Sequence, residues 1–126
     1  VKKVIAGVFA SALLLSGCSS SEGVSDLGAG EFITQSQVEG VVLIDVRTPE
    51  EFNEGHIAGA LNIDVQASSF DSAIASLDKS VTYALYCRSG NRSGVAAGKM
   101  SEAGFTSVLN AEVGFVDLVN AGAIPA

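Results

Sequence analysis

The chain has 126 residues, enough for one domain with a hydrophobic core. It carries seven basic and fourteen acidic residues; with Lys2 and Lys3 set aside the balance is five against fourteen, a net of −9. Such a surface repels nucleic acid and anionic lipid headgroups, which excludes nucleic-acid binding and a polybasic membrane contact.

Lys2 and Lys3 form a short positive region, and Val4 to Leu15 is an apolar run too short to span a bilayer core of roughly 30 Å. Leu15-Ser16-Gly17-Cys18 follows at once. Charge, apolar run and Leu-Ser-Gly-Cys in this order resemble the lipobox of bacterial lipoproteins. The resemblance implies a signal peptide over residues 1–17 and a lipid attached to Cys18. Ser, Gly and acidic residues dominate what comes next, so residues 18–30 are expected to form a flexible tether. The implied location is the cell envelope, with the N-terminal lipid as the sole membrane contact. In a Gram-negative host, Ser19 after the cysteine points to a periplasm-facing protein on the outer membrane. The chain has two cysteines, so acylation of Cys18 leaves Cys87 without a disulfide partner within it. A lone exported thiol invites a functional explanation, because exported proteins usually pair their cysteines.

The domain is expected over residues 31–124. Phe32-Ile33 reads as a short edge strand and Thr34 to Val38 as a helical turn. Val41 to Ile44 is a continuous β-branched apolar run, the pattern of a central buried strand. Thr48-Pro49-Glu50-Glu51 is a helix start, with Thr48 as cap, Pro49 at the first helical position and Glu51 closing a capping box. Gly55 ends that helix. Ala60 to Ile63 is a second short strand, and Phe70, Ala73, Ile74 and Leu77 recur at helical spacing. Val81 to Tyr86 is another central strand and runs directly into Cys87. Ser93 to Ala103 is helical, Thr106 to Leu109 a strand, and Phe115, Leu118 and Val119 mark a last helix before Gly122 and Pro125. Strands alternating with helices predict an α/β fold with a mostly parallel sheet covered on both faces. Ligands in such sheets sit beyond the carboxyl ends of the strands, which is where Cys87 is delivered.

The segment Cys87-Arg88-Ser89-Gly90-Asn91-Arg92-Ser93 concentrates the chemistry. A thiol acts as nucleophile or sulfur carrier in its thiolate form. A helix starting near Ser93 offers free N–H groups and a partial positive charge. Arg88 and Arg92 add fixed charge. Gly90 lets the loop curl so that successive N–H groups form an anion nest.

Three motifs now stand in order: Asp45-Val46-Arg47-Thr48-Pro49-Glu50-Glu51-Phe52, Gly55-His56-Ile57-Ala58-Gly59-Ala60-Leu61-Asn62-Ile63, and the Cys87 loop. Together they resemble the rhodanese family over nearly all of residues 31–124. The resemblance implies a single domain with a parallel five-stranded sheet. It implies that Cys87 takes sulfane sulfur from a small anionic donor such as thiosulfate and passes it to cyanide or a thiol through a persulfide, without cofactor or metal. It further implies that Arg88, Ser89, Gly90, Asn91, Arg92 and Ser93 form the sulfur-holding loop, with Arg92 orienting the donor. Asp45 and Arg47 match a structural pair near the loop, and His56 matches a structural residue. The protein is expected to act as a monomer. The sequence departs from the family near its end, where Val113-Gly114 and Leu118 stand in place of Gly-Gly and Trp.

Other chemistries fit less well. Four residues separate Cys87 from Arg92, one too few for a tyrosine-phosphatase-like loop ringing a phosphate. No Cys-x-x-Cys supports a dithiol cycle, and no His/Cys cluster has metal-ligand spacing. The rival from another class is a non-catalytic rhodanese-like module that binds a partner or senses sulfur.

Overall fold

The computed structural model describes residues 23–126. Cys18 and the leader lie outside the described residues. Five strands form one sheet, β1 (Val24–Leu27), β2 (Val42–Asp45), β3 (Leu61–Asn62), β4 (Tyr83–Tyr86) and β5 (Val108–Ala111). They are ordered β1-β5-β4-β2-β3, with every neighbouring pair parallel. Five helices connect them, α1 (Ala29–Ser36), α2 (Pro49–Glu54), α3 (Phe70–Ala75), α4 (Asn91–Glu102) and α5 (Phe115–Asn120). Among the described residues no helix is long and apolar enough to cross a membrane.

The strand-to-side alternation is clearest on β4, which is buried along its whole length. Tyr83, Leu85 and Cys87 join Ile44, Ala96, Met100 and Val108 in a core beneath α3 and α4. Ala84 and Tyr86 point the other way and join Phe32, Leu43, Leu109 and Leu118 under α1 and α5. A period of two in a strand covered on both faces places Cys87 on the α4 side, within reach of that helix's first turn. Pro49 opens α2 as expected: Glu51 N–H donates to Thr48 Oγ1 at 3.3 Å, and Thr48 N–H donates to Glu51 Oε1 at 3.1 Å.

Three expectations are corrected. The edge strand is not Phe32-Ile33. Those residues lie on α1, where Ala29, Phe32 and Ile33 stand on one helical face packed into the core. The true edge strand is β1, whose Val24 and Leu27 register with Val108 and Ala111. The expected tether over 18–30 therefore overlaps the fold, and the domain begins no later than Gly23 rather than at 31. Charged and small residues disguise β1 because an edge strand needs only Leu27 well buried. The helix after Cys87 also starts two residues earlier than expected, so Arg92 and Ser93 belong to its first turn.

Two glycines set how closely the β4–α4 and β5–α5 connections approach. Gly90 has φ +99°, and a Cβ there would stand 2.6 Å from the Glu112 carbonyl oxygen. A Cβ on Gly114 would overlap the Arg88 carbonyl. Gly114→Ala forces one backbone off another, so we expect it to cost about 2–3 kcal/mol, as overpacking does. Urea unfolding measures this, and an unchanged midpoint would show that the two connections are not in contact.

Candidate active site

Cys87 lies just beyond the carboxyl end of β4 and has no exposed surface. Gly90 N–H donates to its Sγ at 3.0 Å, and Ser93 Oγ lies 3.5 Å from the same sulfur. Ser93, itself fully buried, accepts from the thiol and donates its hydroxyl to the Gly90 carbonyl at 3.2 Å; once the thiol ionises, that one proton can turn to the sulfur instead. On the far side, Phe115 N–H donates to the Cys87 carbonyl at 2.9 Å. The curl is thus closed by backbone on both sides of the sulfur.

Burial is the largest influence on the Cys87 thiol and pushes it up, but the hydrogen bonds together win and hold it below its ordinary value. They come from the hydroxyl and N–H of Ser93 and from the N–H groups of Ser89 and Gly90. The sequence had assigned part of this to the two arginines. In the structure backbone and hydroxyl donors lead, and the Arg92 charge adds a coulombic attraction to the same sulfur.

The arginines stand differently from one another. Arg92 forms a bidentate pair with Glu51, Nη1 to Oε1 at 2.8 Å and Nη2 to Oε2 at 2.9 Å. This pairing, aided by Thr48, holds the Glu51 carboxyl at about 2. Arg88 is exposed at the mouth and takes part in no ion pair among the described residues. Ser89 and Asn91 are exposed beside it.

Behind the loop, Asp45 is fully buried and collects five hydrogen bonds: from Arg47 N–H at 2.9 Å, from Arg47 Nε at 2.9 and 3.0 Å to its two oxygens, from Arg47 Nη2 at 2.7 Å and from the Tyr86 hydroxyl at 2.8 Å. Tyr86 in turn accepts the Ile57 N–H at 2.9 Å, and burial pushes its hydroxyl well above the ordinary phenol range. Arg47 also reaches the Gly55 carbonyl at 2.6 Å and stacks 4.6 Å over the Phe115 ring. The pair joins β2 to the strand that carries Cys87 and to the opening of α5. His56 stacks on Phe52 with ring centroids 3.7 Å apart, and its Nδ1 lies 2.9 Å from the Phe52 carbonyl oxygen. It makes no hydrogen bond to the Cys87 loop.

A cleft of about 290 Å³ opens beside the loop, lined by Arg47, Glu51, Glu54, Gly55, Arg88, Phe115 and Val116. The departures near the end of the sequence leave this geometry intact. Gly114 keeps the close approach, while Leu118 is fully buried in the core. A larger apolar groove of about 610 Å³ lies between α1 and the C-terminal segment and includes no loop residue. Among the described residues no group of three or more His, Cys, Asp or Glu side chains converges as a metal site.

Sequence reasoning missed two contributors. Glu51 already had a reason to be present as a capping residue, which hid its role as the partner of Arg92. Phe115 reads in the sequence as part of a helical face, because its N–H contact with Cys87 depends on the close approach at Gly114.

Comparison with known proteins identifies the family of the fold. A family model described as the rhodanese-like domain matches residues 29–121. The thiosulfate sulfurtransferase PspE of Escherichia coli (strain K12) is 43% identical over 68 residues, covering 54% of this chain and 65% of PspE. The thiosulfate sulfurtransferase GlpE of Pseudomonas aeruginosa (strain PAO1) is 33% identical over 87 residues, covering 69% of this chain and 77% of GlpE. A solved structure described as rhodanese with anions from E. coli superposes with a TM-score of 0.57 at 35% identity, covering 68% of this chain and 96% of that one. The chain thus spans just under two-thirds of PspE's length. With a matching model over most of its length, a five-stranded parallel sheet and a cysteine curled against helix N–H groups, the chain belongs to the rhodanese-like domain family.

Proposed function

We propose that this protein is a sulfurtransferase that carries sulfane sulfur on Cys87. The observation that supports it most is the convergence of the Gly90 N–H and the Ser93 hydroxyl on a buried sulfur whose thiol is held below its ordinary value. Such donors stabilise negative charge on sulfur without a metal or cofactor.

The reaction has two halves. The Cys87 thiolate attacks the outer sulfur of an anionic donor such as thiosulfate. A new S–S bond forms to Cys87, the donor's own S–S bond breaks, and its electron pair leaves with sulfite. The terminal sulfur then stays on Cys87 as a persulfide, next to the curl's donors. In the second half, cyanide or a thiolate attacks the terminal sulfur, and the Cys87 thiolate is released. One carrier serving two substrates in turn is a ping-pong scheme. Because Cys87 has no exposed surface, a donor gains access only when side chains at the mouth shift.

We propose further that the protein is exported and held in the cell envelope by a lipid on Cys18, since the leader has the order of a lipoprotein signal. Such an anchor needs more than one acyl chain for stable attachment.

Mass spectrometry after thiosulfate treatment is expected to show one added sulfur on Cys87, removable by cyanide. Cys87→Ser loses this completely, since a hydroxyl neither ionises at neutral pH nor holds a persulfide. If folded wild-type protein takes up no sulfur, the binding-module reading replaces the enzyme reading. The alkylation rate of Cys87 against pH is expected to turn over below the free thiol value of about 8.5; a midpoint at or above it identifies an inert buried cysteine. Palmitate labelling in the native host is expected for the wild type and absent in Cys18→Ser; an unlabelled wild type removes the anchor.

A further inference from the structure

Three fixed cations lie around the Cys87 loop, and two are already neutralised. Arg47 is locked on Asp45 with a closest distance of 2.7 Å and is almost fully buried. Arg92 gives both terminal nitrogens to Glu51, at 2.8 and 2.9 Å. A bidentate guanidinium–carboxylate pair uses the face that an anionic ligand needs. Glu51 is also tied within its own helix start, because Thr48 N–H and Thr48 Oγ1 both donate to Oε1 at 3.1 and 3.0 Å. The carboxylate therefore cannot swing away from Arg92 without opening the capping box of α2. Arg88 has no such partner. It stands exposed on the wall of a cleft that Arg47, Glu51, Glu54 and Phe115 also line, and of these cations it alone lacks a carboxylate partner among the described residues.

We propose that Glu51 is a positioning residue that ties the first turn of α4 to α2 through Arg92, and that Arg88 is the cation left to receive an anionic sulfur donor. This rests on the sulfurtransferase reading for the identity of the donor, but the arrangement of charges can be tested without turnover. It reverses the roles that sequence motifs assign, in which Arg92 orients the donor. Arg92 sits in the first turn of α4 one residue before Ser93, whose hydroxyl and N–H both lower the Cys87 thiol. Holding Arg92 therefore holds the donors that prepare the sulfur. Arg88 follows Cys87 directly, and its own carbonyl is pinned against Gly114, so its side chain is directed from a fixed point on the mouth. In a chain with twice as many acidic as basic residues, one unpaired cation at the mouth is the local attraction for a small anion.

Alkylation of Cys87 separates the two arginines. Iodoacetate is an anion and iodoacetamide is neutral, so the ratio of their rates reads the charge met on the way to the sulfur. Removing Arg92 alone would expose the Glu51 charge, so the control is the double variant E51Q/R92Q, which removes both charges together. Arg88→Gln is expected to lower the iodoacetate-to-iodoacetamide ratio about three- to tenfold at low salt, the effect of one screened unit charge at close range. E51Q/R92Q is expected to keep that ratio within about twofold while moving the midpoint of iodoacetamide alkylation upward, because the Ser93 donors are no longer held. A retained charge ratio with a shifted midpoint is not produced by general unfolding, which would expose the thiol and speed bulky reagents. Arg92→Lys keeps the charge and loses the fork, and is expected to shift the midpoint in the same direction by a smaller amount. A ratio that falls in E51Q/R92Q, or that does not fall in Arg88→Gln, overturns the assignment of the donor cation. An unshifted midpoint in E51Q/R92Q overturns the positioning role of Glu51. Thiosulfate uptake by the wild type is read separately by mass, so a protein that fails to take up sulfur but shows the expected charge ratio removes the sulfurtransferase reading and leaves the charge arrangement standing.

Discussion

A curl of four residues has to aim its own N–H groups back at the sulfur of its first residue. Gly90 N–H lies 3.0 Å from Cys87 Sγ, and this geometry needs the positive φ that Gly90 adopts. The tightness then propagates. There is no room for a Cβ at position 90 against the Glu112 carbonyl, nor at 114 against the Arg88 carbonyl. The β5–α5 connection must therefore pass as bare backbone, and it contributes the Phe115 N–H that takes up the Cys87 carbonyl. Helix α4 starts immediately after the curl, which places the buried Ser93 hydroxyl inside it. Local backbone freedom at two glycines thus decides how a thiol from one connection and donors from the next come together.

A buried anion is costly unless dipoles face it. Here the facing groups are N–H groups and a hydroxyl, while Arg47 and Arg92 are taken by carboxylates and Arg88 stands exposed at the mouth. Fixed dipoles can solvate negative charge on the Cys87 sulfur. The ion pairs serve the walls. Asp45, Arg47 and Tyr86 lock β2 to β4 and support Phe115 from below, and a broken member of such a buried set leaves an uncompensated charge.

Much of this was legible in the sequence, for identifiable reasons. Central strands β2 and β4 are buried on both faces, so their apolar runs are continuous and unmistakable. The α2 start was legible because a capping box is a local pattern of four residues. What was not legible depended on partners distant in sequence. β1 is an edge strand with two exposed positions, and its signal sits in its register with β5 rather than in its own residues. Phe32-Ile33 looks β-prone in isolation, yet the burial of Phe32 belongs to a helix packed on β4 and β5. The loop's residue types drew attention to Cys87, but how its two arginines differ in their contacts required knowing where Glu51 stands.

Glu51 shows why motif reading stops where it does. Its presence is fully explained by the helix it caps, so no residual signal marks it as part of the site. In space the same carboxylate accepts from Thr48 with Oε1 and clasps Arg92 with both oxygens. One residue therefore satisfies a helix start and fixes the first turn of another helix 41 positions later. That economy has a consequence for the departures near the end of the chain. The Trp expected in the last helix is absent, and Leu118 fills the core from that position. The sulfur curl does not suffer, because its restraints come from the Glu51 clasp on one side and the Gly114 approach on the other. Neither depends on a large side chain in α5, so the rim is free to vary while the curl is held.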